Sequence, residues 1–339
     1  MSRPNRPSLL RRPERIEALT RDLGEVREQL WSLNHDISET EAMLTGLIGD
    51  LRDYGPQDLA ALLAETQRLR LAGNFLAVAP DHSIDGSVVV ADRLSIIIVT
   101  YGTGEVLEEC LAAIATHTGA ELGGRVGDYE VIVVDNPPDG PGLRTAERLR
   151  DRDDLRLIEA EHNLGFAGAN NLGVAQCTGA LVCFMNPDVV VGPRWLTPLL
   201  AALDDPDVAV SAPVLINRDG SHQEAGQQLF SDGSTAPLAI ENADRADYAS
   251  AALWVVRRAD HLEAGGFDQR YHPAYCEDVD YCLRARARGG RVAVVPDVAV
   301  VHVRGGGGAG GDVALAQRSQ TYLKARWAVD LAGRRGPEG

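Results

Sequence analysis

Two short stretches hold the acids best placed to do chemistry. FMNPDVVVG (184–192) runs an apolar segment into Asn186-Pro187-Asp188 and then resumes with valines. Asn-Pro-Asp is good turn chemistry, and it is also a way to hold one carboxylate at the end of a buried strand. One carboxylate cannot cage a hard cation. It suffices for Mg²⁺ or Mn²⁺ when a diphosphate supplies further oxygens. The second stretch, EDVDYCLRAR, puts Glu277, Asp278 and Asp280 in the first turn of a predicted helix. Acids there complement the helix dipole, and Asp280 with Arg284 is an i,i+4 pair. The other reading is a general base, since neighbouring carboxylates raise one another's pKa toward the working range. Adjacent helix residues point about 100° apart, so Glu277 and Asp278 cannot do the same job. His302, among valines in VAVVHV, reads as a structural histidine or as a site residue ahead of a mobile glycine-rich lid. Asp135, closing VIVVDN, reads as a turn-former or as a carboxylate for a nucleobase N–H or a ribose hydroxyl.

These groups need elements to hold them. From 94 the chain alternates strands (94–101, 129–136, 155–163, 180–186) with helices (104–117, 141–151, 166–177, 194–203). Continuous Val/Ile-rich strands separated by helices predict a mainly parallel sheet covered on both faces. Ligands in such sheets sit beyond the carboxyl ends of strands. Thr100-Tyr101, Asp135-Asn136, His162-Asn163 and Asn186 with Asp188 all fall there. Further on, 208–216 and 246–258 read as strands, 217–247 as loops or a hairpin, 277–290 as a helix, 291–303 as one or two strands and 312–332 as a last helix. The run of glycines at 305–311 must be flexible.

The N-terminal part is different. Residues 1–15 form a basic, proline-broken arm. From Ile16 to Leu51, apolar residues recur at alternating steps of three and four, interrupted only at Thr40, and a second helix follows at about 57–72. Residues 16–73 thus read as a helical coiled-coil assembly module, pairing with a second copy or folding back as a hairpin. Residues 74–93 read as a linker.

Composition narrows the function classes. The 339 residues carry a net charge of −16, which argues against nucleic acid as the main partner. The five cysteines show no metal-ligand spacing, and their odd number suggests reduced thiols and a cytoplasmic home. No signal peptide or membrane-spanning run is visible.

In order, LSIIIVTYG, YEVIVVDN, EHNLGFAGANNLGV, CFMNPDVVV, GGFDQRYHPAYCEDVDYCLRARARGG and VVHVRGG resemble a family 2 glycosyltransferase of the GT-A fold, near its rhamnosyltransferase-like and galactofuranosyltransferase-like members. The resemblance covers about 94–304. It implies a Rossmann-like α/β domain, a nucleotide-sugar donor (dTDP-rhamnose or a UDP-sugar) and a divalent metal, Mn²⁺ or Mg²⁺. By resemblance Thr100, Tyr101 and Asp135 contact the nucleoside, and Asn163, Gly165, Asn171 and Asn186 line the donor side. Asp188 binds the metal in place of the family's DxD, and His302 completes its shell. Asp278 is the base of an inverting transfer, with Glu277 or Asp280 orienting the acceptor or holding Asp278. Trp254 shapes the acceptor side. The acceptor expected is a glycan, a lipid-linked or a small molecule. The cysteines and the heptad pattern add the expectation of a cytoplasmic protein, free or peripheral to the inner face of the membrane, that pairs as a homodimer through 16–73 unless those helices fold back as a hairpin. Gly102, Pro137-Pro138 and Ala251 depart from the usual pattern but remove no carboxylate. The rival reading is an inactive nucleotide-binding scaffold that works through its coiled coil.

Overall fold

The computed structural model describes residues 89–102, 105–137, 145–303 and 313–337. The basic arm, the heptad-patterned module at 16–73, residues 74–88 of the linker and the glycine run at 305–311 lie outside the described residues.

The four predicted strands form one half of a sheet. They are β1 (Val90–Tyr101), β2 (Asp128–Asn136), β3 (Arg156–Glu159) and β4 (Gly179–Met185), all parallel, in the order β3-β2-β1-β4. β1 begins at Val90 rather than at 94, and Val90 pairs with Gly179. Direction reverses at β10 (Leu253–Arg257), which is antiparallel to β4 on one side and to β6 (Val208–Ile216) on the other. β11 (Arg291–His302) runs parallel to β6, and β5 (Val189–Val190) closes the far edge against β11. β7 (His222–Glu224) pairs with β6, while β8 (Gln227–Leu229) and β9 (Thr235–Pro237) make a separate hairpin. The carboxyl ends of β1, β2, β4, β6 and β11, and the amino end of β10, therefore share one edge of the sheet.

Both faces are covered, as the unbroken apolar strands require. Leu94, Ile96 and Ile98 point into a core with Leu107, Cys110 and Ile114 of α1 (Glu105–His117) and Leu196 and Leu199 of α4 (Leu196–Ala202). A four-residue helix, α2 (Ala146–Leu149), follows β2. Ile97 faces the other way, toward α3 (Gly165–Gln176). A Cβ on Gly173 would lie 2.6 Å from Ile97 Cγ2, so the backbone of α3 lies directly on the sheet. Along nearly its whole length α3 is buried, which is why its sequence shows no polar face. On this side Phe184, Trp254, Phe267, Tyr281 and His261 stack into an aromatic layer, with centroids 4.9–5.8 Å apart. His261 sits on α5 (Arg258–Glu263), and Tyr281 on α6 (Glu277–Ala287).

The strand expected over 246–258 is ordered as β only from Leu253. Upstream, Ser250 N–H donates to the Glu224 carboxylate (3.1 Å), and Ala252 C=O accepts from Asn186 N–H (2.8 Å). That backbone serves the site instead of a ladder. β11 is one strand whose register shifts between Val295 and Ala299, around Pro296, which has no N–H to offer. The last helix is two pieces, α7 (Val313–Arg326) and α8 (Ala328–Ala332), divided at Trp327.

Candidate active site

The shared sheet edge opens into a cleft of about 620 Å³. Asn186 lines it from the end of β4, Ser250, Ala251 and Ala252 from the approach to β10, and Glu277 and Asp278 from the first turn of α6. Val313, Ala316, Gln317, Gln320 and Leu323 line it from α7. The approach to α6 is unusual. Tyr275 (φ 80°) and Cys276 (φ 68°) are consecutive non-glycine residues in the left-handed region. Such strain persists only where the surroundings over-determine it. It turns the chain so that Glu277 and Asp278 enter the helix at the cleft.

The two acids differ in setting, as their 100° separation requires. Glu277 is buried, and its Oε2 has no hydrogen-bond partner. Burial first, and then the charge of Asp278, raises Glu277 well above the ordinary carboxylate range. Asp278 keeps a partly exposed edge, but protein crowds its carboxyl group. Burial raises it to about 6 and the Glu224 charge adds to this, while the N–H groups of Val279 (2.8 Å to Oδ1) and Ala251 hold it down. Burial of both groups, and the charge Asp278 places on Glu277, favour a single negative charge on the pair. Glu224 is a site residue that the sequence did not single out. It lies in β7, inside a stretch that reads as polar loop, and only the pairing of β7 with β6 brings it under Ser250.

Asp280 has a different task. It is fully buried and meets Arg284 (2.8 Å), Arg326 (2.9 Å), Trp327 Nε1 (2.9 Å) and Tyr271 Oη (3.3 Å). Arg326 also pairs with Asp268. With its oxygens engaged this way, Asp280 ties α6 to α7 rather than facing the cleft. Trp254, expected on the acceptor side, is fully buried in the aromatic layer and stacks on Phe267 at 5.8 Å. It can influence an acceptor only through the residues above it.

Asp188 and His302 are brought together from β4 and β11. Asp188 is 4% exposed, and His302 Nε2 stands 3.4 Å from its Oδ1. That contact is an ion-pair distance without hydrogen-bond alignment, so Oδ1 is buried without a hydrogen-bond partner. The other ring nitrogen, Nδ1, faces Gln223 Oε1 at 3.2 Å, which fixes the imidazole. An orphaned carboxylate oxygen beside an imidazole nitrogen fits a divalent cation. Among the described residues no group of three or more His, Cys, Asp or Glu forms a cage. Any cation held here must take its remaining oxygens from a ligand or water.

The predicted nucleoside and donor residues fall at the same edge, mostly engaged with one another. Thr100 Oγ1 donates to Asp135 Oδ1 (3.0 Å), and Asp135 Oδ2 accepts from Ala146 N–H (3.2 Å). Both residues are fully buried, so a nucleoside contact from Asp135 needs its carboxylate to change partners. Tyr101 is partly exposed at the end of β1. Gly102 has φ 58°, a conformation open to glycine and, among other residues, chiefly to asparagine. Asn163 Oδ1 caps Gly165 N–H (2.9 Å). Asn136, a second residue that the sequence left unassigned, staples this turn through Leu164 N–H and Gly165 C=O, both at 3.0 Å. Phe166 N–H then donates to Pro273 C=O (2.7 Å), and His272 Nε2 meets Asn163 C=O (3.0 Å). The 163–166 turn thus clamps the segment leading to Glu277. Asn171 is not on the donor side. It is fully buried, with both amide ends on the Phe267 backbone at 2.8 and 2.9 Å.

All five cysteines are free, and among the described residues no helix is long and apolar enough to cross a membrane.

Comparison with known proteins agrees with this geometry. Residues 95–261 match the model for "Glycosyl transferase family 2". A relative from Mycobacterium tuberculosis, named pre-mycofactocin glycosyltransferase, is 30% identical over 178 residues, or 51% of this chain and 37% of the relative. A second from the same organism, named N-acetylglucosaminyl-diphospho-decaprenol L-rhamnosyltransferase, is 28% identical over 246 residues, or 63% of this chain and 76% of the relative. This chain therefore spans little more than a third of the first relative's length. The crystal structure of GalNAc-T7 with UDP, GalNAc and Mn²⁺ superposes with a TM-score of 0.58 at 15% identity, covering 82% of this chain and 58% of that one. The mixed sheet is thus a GT-A-type fold. Through residues 95–261 the chain belongs to glycosyltransferase family 2.

Proposed function

We propose that this chain is an inverting, metal-dependent glycosyltransferase that moves a sugar from a nucleoside diphosphate to an acceptor hydroxyl. The observation that carries the reading is the carboxyl pair at the first turn of α6, Glu277 buried with its Oε2 unpartnered and Asp278 partly exposed at the cleft, on the same sheet edge as the Asp188–His302 pair. Asp278, raised to about 6, is a base poised just below neutral pH. It takes the proton of the acceptor hydroxyl as that oxygen bonds to the anomeric carbon. The bond from that carbon to the diphosphate oxygen breaks, and its electron pair leaves with the nucleoside diphosphate. Attack opposite the leaving group inverts the centre, through an oxocarbenium-like transition state. Glu277, neutral and buried behind Asp278, keeps a second negative charge out of the base's surroundings. Asp188 and His302 would hold Mg²⁺ or Mn²⁺, which when bound stabilises charge on the diphosphate. Asn186 and the 163–166 turn stand at the donor end.

The donor is read as dTDP-rhamnose or a UDP-sugar, and the relative named as a rhamnosyltransferase supports the first. Homodimerisation through residues 16–73 belongs to the same reading, as does a reducing, cytoplasmic setting suited to five free thiols.

Calorimetry with UDP-, dTDP- and GDP-sugars, in Mn²⁺ and in EDTA, tests the proposal. Micromolar binding that EDTA abolishes and Asp188→Asn weakens is expected. A folded protein that binds none of them refutes it.

A further inference from the structure

We propose that Gln223 is a positioning residue for the metal end of the site: backed by the 217–221 turn, its amide holds the His302 imidazole so that Nε2 presents a lone pair beside Asp188. The inference rests on the metal-dependent reading above and adds to it the residue that makes His302 a ligand. Gln223 is buried, in the middle of β7. The pairing of β7 with β6 steps from His222–Ile216 to Glu224–Leu215, so Gln223 is the extra residue of a bulge. A bulge re-aims a side chain, and this one reaches the end of β11.

The polarity of the amide is set by its neighbours. Gln223 Nε2 donates to the C=O groups of His302 and of Ile216, the latter at 3.4 Å. Carbonyls only accept, so the amide nitrogen must lie on that side. Nε2 also donates to Asn217 Oδ1 (2.7 Å). Asn217 in turn has a fixed sense. Its Nδ2 donates to Ser221 Oγ (2.8 Å), and the single hydrogen of that hydroxyl goes to the Asp219 carboxylate (2.6 Å). The outer links are exposed and supply direction rather than strength. Every link from Asp219 inward therefore points one way. Gln223 Oε1 is left facing His302 Nδ1 at 3.2 Å, and because an amide oxygen only accepts, Nδ1 carries the hydrogen. In a neutral imidazole that leaves Nε2 as an acceptor. It stands 3.4 Å from Asp188 Oδ1, the buried oxygen without a hydrogen-bond partner. Two acceptors that repel each other are thus held where a cation would attract both.

The test reads Mn²⁺ binding rather than turnover, in the full chain with UDP and, separately, with dTDP. Electron paramagnetic resonance counts the free ion, and the spin-echo spectrum of the bound ion reports a nitrogen ligand. The parent should bind Mn²⁺ with a nitrogen coupling that His302→Ala removes. Gln223→Leu is expected to weaken Mn²⁺ binding about 10–100-fold. In the His302→Ala background the same substitution should change it by no more than about twofold. Equal losses in the two backgrounds would overturn the proposal, because a side chain that only packs would act without His302. Gln223→Met keeps the length and loses the amide, and it repeats the cycle if the leucine variant does not fold. A parent that binds nucleotide but no Mn²⁺ would sink the metal-dependent reading itself. A parent that binds Mn²⁺ through a nitrogen, with an affinity that neither Gln223 variant moves, would sink only this inference.

Discussion

Asp278→Asn is expected to abolish transfer and, above neutral pH, to stabilise the fold. Asp278 is held at about 6 in the folded protein, against an ordinary 3.8. A carboxyl group with a raised folded pKa opposes folding once it ionises. The penalty is absent below the unfolded value and complete above the folded one. With those two values the linkage relation gives a cost of about 3 kcal/mol at pH 8, most of it gone by pH 4. Asparagine keeps the shape and one oxygen for Val279 N–H, and it cannot ionise. The difference in unfolding free energy between variant and parent should therefore move in the variant's favour by about 2–3 kcal/mol between pH 4 and pH 8. Urea unfolding at both values measures it, and taking the difference cancels any pH-independent effect of the substitution. In the same variant, donor binding should persist while transfer falls by about 10²–10⁴-fold. A variant that gains nothing on going from pH 4 to pH 8 would refute the buried, poised base, even if activity were lost.

In the parent protein, kcat/KM should fall tenfold per pH unit below about 6, because protonated Asp278 cannot accept a proton; a flat profile between pH 5 and pH 7 would remove it as base. Arg326→Lys breaks the fork that joins Asp280 and Asp268 in a buried site. It should lower unfolding stability by about 3 kcal/mol and depress kcat more than donor affinity, as parallel urea unfolding and turnover would show. Gly165→Ala puts a Cβ 2.6 Å from Pro273 C=O at a φ of +67°. It should cost about 1–3 kcal/mol and lower kcat by displacing the segment that leads to Glu277, and an unperturbed kcat in a folded variant would show that the clamp does not matter.

The four parallel strands and the edge at which their carboxyl ends meet were legible because apolar strand runs and helical segments alternate from 94 onward. Asp278 and Asp188 were legible as acids at element ends, and the resemblance ranked them. The remainder depended on pairings that the local sequence does not carry. Asn171 was placed on the donor side by the resemblance alone, and its amide is consumed by a backbone ninety-six residues away. Trp254 was likewise placed on the acceptor side by the resemblance alone. Its partners Phe267 and Tyr281 reach it only through the packing of α6 and the segment before it. Glu224 and Asn136 went unassigned for the same reason. Each is a polar residue whose importance comes from a backbone group brought to it by a neighbouring strand or loop.

The segment that matches the family model ends at residue 261, before the proposed base and before the second wall of the cleft. The chain beyond 261 is nonetheless integral to the fold. β11 is inserted between β6 and β5, so this later part supplies an interior strand of the sheet and, with it, His302 beside Asp188. α6 supplies Glu277 and Asp278, and α7 faces them across the cleft. On the proposed reading the donor end thus draws on both parts of the chain, Asp188 from within the matched segment and His302 from beyond it. Asp188 and the 163–166 turn lie inside the matched segment, while the base and α7 lie outside it. Asp280 joins the acid helix to α7, so the two walls of the cleft that lie beyond the matched segment are held to one another.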